Sequence, residues 1–186
     1  MTKARTNADN VTADIAGITA STGLTGGGTS GTVTLSIDTG TTVDLTTSQA
    51  LSNKIFVSPE ERTTVSTSTP TTTTNFDADT QGVLFLTGLT TSNWTLNVRG
   101  SSSTTLASKL AVGDSMSIIF IATNGATAYY QTALTIDGNA QTVNYSGGTA
   151  PASGNASAKD AYSFTIFKTA ATPTYTVFGA GPVKYS

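Results

Sequence analysis

The chain has 186 residues, enough for one domain of ordinary size plus an appendage or for one larger β domain. Nine Lys and Arg stand against eleven Asp and Glu, a formal charge of −2, and His and Cys are absent. That composition excludes His-based triads, thiolate nucleophiles, disulfides and zinc sites of the usual ligand type, and it argues against a surface for duplex nucleic acid.

Forty residues are Thr and twenty are Ser, while 37% are hydrophobic. Disorder needs low hydrophobicity and high net charge, so global disorder is not expected. Threonine is β-branched and suits a pleated, half-buried surface, so the chain reads as all-β.

Residues 1–16 are polar, without an apolar face or the continuous apolar run of a signal peptide, and are expected to be a docking or flexible arm. Residues 17–58 form a glycine-rich β segment. In "GTVTLSID" Val33, Leu35 and Ile37 alternate with Thr32, Thr34, Ser36 and Asp38, the period of a strand with one buried face. "TTVDLTTSQ" repeats the pattern with Val43 and Leu45. So few strands cannot bury an apolar face alone, because isolated hairpins are marginal in water, and a partner is required.

Residues 59–80, with Pro70 and four consecutive Thr, are expected to be a Thr/Ser/Pro-rich connector, with an edge strand around 63–67 as the alternative. Residues 81–186 read as an antiparallel sandwich or jelly-roll-like domain. The expected strands are 83–86, 94–98, 115–123, 128–136, 142–145, 161–168 and 175–178. Turns are expected at Asn124-Gly125, Asp137-Gly138, Ser146-Gly147-Gly148 and Thr172-Pro173. Ile118-Ile119-Phe120-Ile121 is expected to be a central strand buried on both faces, the longest apolar run (118–122) is too short to span a bilayer, and Leu106 to Leu110 has room for one helical turn.

Gly26-Gly27-Gly28-Thr29-Ser30-Gly31 satisfies G-x-G-x-x-G. A dinucleotide loop needs a helix next, to receive the phosphates on its N-terminus. Here a period-2 segment follows, so the glycines read as a turn or a close backbone approach. Asp77 and Asp79, and Glu60 and Glu61, are paired carboxylates without the spacing of a glycosidase pair or an EF-hand. Trp94, flanked by Leu96 and Val98, belongs to the core. Tyr129, Tyr130 and Tyr145 are the candidates for a surface-ligand contact, since aromatic rings stack on sugar faces.

"GITASTGLTGGGTSGTVTLSIDTGTTVDLTTSQALSNK", Gly17 to Lys54, resembles the shaft and neck segments of bacteriophage fibre and other virion appendage proteins. Their G-[LI]-T-G-G-G, "V-x-L-x-I-D" and "L-T-x-x-Q-x-L-x-N-K" elements are matched in order. "MTKAR" is similar to the start of structural proteins of phages that infect marine cyanobacteria, and residues 81–186 resemble their small distal domains in texture.

The resemblance implies a virion structural protein, located in the particle and without enzymatic activity or cofactor. Residues 1–16 would attach it to other virion proteins of the tail, neck or capsid. Gly26, Gly27, Gly28, Val33, Leu35, Ile37, Val43 and Leu45 would form a homotrimer, and the distal domain would meet host-surface glycan. The alternatives are a glycan-binding or glycan-degrading cell-surface module, for which Asp77, Asp79, Asp114, Asp137, Asp160, Glu60 and Glu61 are the available acids, and a bacterial adhesin domain.

Overall fold

The computed structural model describes residues 17–29, 32–38, 40, 43, 52–53, 55 and 57–186. The proposed arm 1–16 and Leu45 lie outside the described residues. The chain divides into two compact units, residues 1–57 and 58–186, and both are built from strands.

The first unit holds β1 (Ile18–Thr19), β2 (Leu24–Gly28) and β3 (Leu35–Ile37) in an antiparallel sheet with β2 in the middle. Gly26 pairs with Leu35, and Ile18 with Gly28. The glycines therefore occupy the central strand and not a turn. The reason is crowding. Gly26 and Gly27 have φ of 107° and 124°, and a Cβ would run into the Thr34 carbonyl oxygen at Gly26 and the Ile18 carbonyl oxygen at Gly27. The backbone passing beside them belongs to this chain.

The second unit contains β4 (Thr63–Ser66), β5 (Thr73–Asp77), β6 (Val83–Leu89), β7 (Trp94–Arg99), α1 (Leu106–Lys109), β8 (Ser115–Thr123), β9 (Gln131–Ile136), β10 (Asn139–Gln141), β11 (Val143–Tyr145), β12 (Lys159–Ala170) and β13 (Thr174–Tyr185). They form a four-stranded sheet, β10-β9-β7-β5, and a six-stranded sheet, β11-β13-β12-β8-β6-β4. From β4 to β9 the chain alternates between the sheets. Neighbours within a sheet are thus second neighbours in sequence and run in the same direction: β4 with β6, β6 with β8, β5 with β7 and β7 with β9 are all parallel, as is β11 with β13. The expected antiparallel, jelly-roll-like arrangement is corrected to mixed sheets, with antiparallel pairing confined in this unit to β8/β12, β12/β13 and β9/β10. Segment 59–80, expected as an extended connector with an edge strand around 63–67 as the alternative, contributes β4, the edge strand of the six-stranded sheet, and β5 of the other sheet.

The core lies between the sheets. Trp94, Leu96 and Val98 of β7, Leu134 and Ile136 of β9 and Phe76 of β5 face Ile118 and Phe120 of β8, Leu84 and Leu86 of β6 and Tyr162, Phe164 and Ile166 of β12. Each buried aliphatic or aromatic side chain contributes about 1.5–3 kcal/mol by leaving water. The Trp94 ring lies 5.9 Å from Phe120 and 6.0 Å, edge-on, from Tyr162. The Trp94 indole N–H has no partner in this core.

The one-turn helix α1 is too short to persist by propensity. Thr105 caps it by accepting from the Ser108 amide. Asp137, from the β9–β10 turn, accepts from the amides of Leu106 and Ala107 at 2.7 and 3.0 Å. At the other end Lys168 of β12 donates to the carbonyls of Ala107 and Leu110 at 2.6 and 2.8 Å. Anionic and cationic groups thus complement the two poles of a single turn.

Candidate interaction surfaces

Side chains alternate across a strand, so each sheet has an inner face in the core and an outer face. On the four-stranded sheet the outer face is polar. Asn75, Asn97 and Thr135 stand in one row across β5, β7 and β9. Asn97 donates to Asn75 Oδ1 at 2.8 Å and accepts from the Thr135 hydroxyl at 2.8 Å and the Gly138 amide at 2.9 Å. The neighbouring row pairs Arg99 Nε with Asp77 Oδ1 at 2.6 Å.

The five candidate aspartates are engaged within the fold, while Glu60 and Glu61 are exposed. Asp77 binds Arg99. Asp79 accepts from Lys109 Nζ and from the Thr104 hydroxyl, both at 2.7 Å; the Lys109 bond first, and Thr104 second, hold its carboxyl below the usual aspartate value. Asp114 accepts from the Ala111 amide in its own turn, and Asp137 caps α1. Asp160 is fully buried and accepts from Asn124 Nδ2 and from both nitrogens of Asn155 at 2.8–2.9 Å. Asn124, in the connection between β8 and β9, is also part of this buried network, with the Thr90 hydroxyl on its Oδ1 and the Tyr129 carbonyl on its Nδ2. Among the described residues no three acids are grouped to hold a metal ion.

The three candidate tyrosines are not brought into one cleft. Tyr129 packs partly buried against the core, and Tyr130 is half-buried, its amide bonded to Asn93 Oδ1. Tyr145, on edge strand β11, directs its hydroxyl inward to Gln131 Oε1 at 3.3 Å, and burial raises its pKa. It borders a shallow groove shared with Asn144 and Phe178, which neither Tyr129 nor Tyr130 lines.

The trimerisation candidates of the first unit fall on β2 and β3 and just beyond. Gly26, Gly27 and Gly28 are in β2; Leu35 and Ile37 in β3 are exposed, as are Leu24 and Val43, and Val33 lies half-buried where it would touch a Cβ at Gly28.

The six-stranded sheet carries a surface that single-strand patterning did not single out. Strand register lines up Val65, Phe85, Ile121, Ala161 and Val183 across β4, β6, β8, β12 and β13, all on the outer face. The adjoining row includes Val83, Ile119 and Ala180. The run 118–121 therefore does form a central strand, but only Ile118 and Phe120 are buried; Ile119 is 40% exposed. The expectation of two buried faces is corrected for the single chain: the second face is apolar and uncovered around Ile119 and Ile121, and polar farther along β8 and β12, where the Ser117 and Thr165 hydroxyls bond to each other. Apolar residues at both parities of β8 were the sequence signal of this surface.

No protein family, curated protein or solved structure matches the chain. No helix among the described residues is long and apolar enough to cross a membrane.

Proposed function

We propose that the chain is a structural protein of a bacteriophage particle, a short trimeric fibre, knob or decoration. Residues 1–16 attach it to tail, neck or capsid, and residues 58–186 face outward toward host-surface glycan. Its work is assembly and binding, without turnover.

The observation that carries this reading is the first unit's sheet. Leu24, Leu35 and Ile37 stand 43–63% exposed on strands of five and three residues. Strands this short, in a sheet of three, bury little of their own apolar surface. Three copies wound together would cover these side chains and pair the free edges, which closed symmetry provides at no cost in new sequence. The resemblance of Gly17–Lys54 to fibre segments supplies the biological setting.

Sedimentation equilibrium tests the assembly: a mass three times the 18.9 kDa of one chain is expected, and a stable monomer refutes it. Removal of residues 1–16 is expected to leave that mass unchanged while abolishing incorporation into particles.

A further inference from the structure

We propose that the outer face of the six-stranded sheet is a second self-association surface, on which the unit 58–186 of one chain packs against the same unit of another. This goes beyond the trimer proposed through residues 17–58 and uses different residues.

That the face is covered follows from three features. Val65, Ile119, Phe167, Phe178, Val183 and Tyr185 are each 37–63% exposed and all lie on it. Taking roughly 150–250 Å² for a large side chain, these six leave about 600 Å² in view in total, in two areas on either side of the Ser117–Thr165 hydroxyl pair, against the roughly 800 Å² per partner of a standard interface. The β8 run is apolar at both parities, Ile118 and Phe120 facing the core and Ile119 and Ile121 this face, the pattern of a strand covered on both sides.

The shape and charge of the face point to another copy as the occupant. A groove of about 470 Å³ crosses one end of it, walled by Phe85, Ile119, Ile121, Val183 and Tyr185. At the other end Phe167 and Phe178 form an exposed edge-on pair, ring centroids 5.9 Å apart. Phe167 lies six residues along β12 from Ala161 in the groove, about 20 Å at strand rise. The same face thus holds a concavity and, apart from it, an exposed aromatic pair to enter the concavity of a second copy. Ridge-into-groove contact between copies is heterologous and closes into a ring when the rotation permits, three being the number that fits the first unit's proposed symmetry. Lys159 is the sole charged residue lining the groove, and it sits at the rim beside Tyr185, so apposing copies meet no buried like charges.

The full chain lacks cysteine, so single thiols report cleanly. Thr176→Cys, beside the ridge, and Ala161→Cys, in the groove, are co-expressed and treated with a short bis-maleimide. Thr73→Cys, on the outer face of the other sheet, is the control. A covalent dimer joining the 161 and 176 chains is expected as the major product, with none from the control. It should be lost when Val183→Glu is added with the near-ultraviolet spectrum unchanged. The crosslink is expected to survive Leu35→Ser with Ile37→Ser, so loss of the N-terminal association and loss of this one are read separately. Two results overturn the proposal: thiols at 161 and 176 that label as fast as the control, and thiols that are protected but never crosslink, which would mean that something other than a second copy covers the face.

Discussion

On the outer side of the four-stranded sheet, Asn75, Asn97 and Thr135 bond to one another across three strands, with Arg99 and Asp77 beside them. On the outer side of the six-stranded sheet, one row holds Val65, Phe85, Ile121, Ala161 and Val183. Both sheets come from one Thr-rich sequence and rest on one core. The first face satisfies its polar groups internally and can meet water; the second sets apolar rows that gain by leaving water beside a hydroxyl pair, Ser117 and Thr165. Composition set the strand content, but parity along each strand set the fate of each face.

The largest effect tests what the faces share. Trp94→Ala removes the ring that bridges Phe120 and Tyr162, and a loss of about 3–5 kcal/mol is expected in urea unfolding. A loss below about 1 kcal/mol would mean that the sheets do not share this core. A smaller effect separates the faces. Asn97→Ala strips a partner from Asn75, Thr135 and Gly138 and should cost about 1–3 kcal/mol. Ser163→Ala, a polar deletion in the middle of the apolar face, should change stability by no more than about 0.5 kcal/mol. Equal costs would erase the distinction between the faces.

The smallest effect lies at the rim of the polar side. The Asp79 carboxyl is held below its ordinary value of 3.8, chiefly by Lys109. A depressed aspartate pKa adds stability that is full above 3.8 and fades as pH falls through the lower folded value. Both side chains are more than a third exposed, so the contribution is screened. Lys109→Ala should flatten the acid limb of the stability curve at low salt and leave it unchanged in high salt.

Much of this was legible in the sequence. The strands expected at 83–86, 94–98 and 115–123 are found at 83–89, 94–99 and 115–123, Trp94 is core, and Leu106 opens a helical turn. Asp137-Gly138 is a two-residue hairpin turn with both φ positive, as its residues demand. What could not be read is non-local. In "TTTTNFDADT" the inward positions are Thr74 and Phe76, and a Thr at every other place hides the period. The glycines of β2 have no side chains to show one. Parallel pairing was invisible because β6 and β8 are joined only through a strand of the opposite sheet. The candidate surface was half visible: apolar residues at both parities of β8 announced two covered faces, but not that the second needs another molecule.

The turn α1 has one more consequence. Its amides are held by Asp137 from the four-stranded sheet's hairpin, and its carbonyls by Lys168 from the six-stranded sheet. Prising the layers apart at that end would strip both poles of the turn in one event. The amide of Leu110, bonded to the Leu106 carbonyl at 3.1 Å, should therefore exchange its hydrogen only when the whole sandwich opens, so that four residues at the margin report on global unfolding.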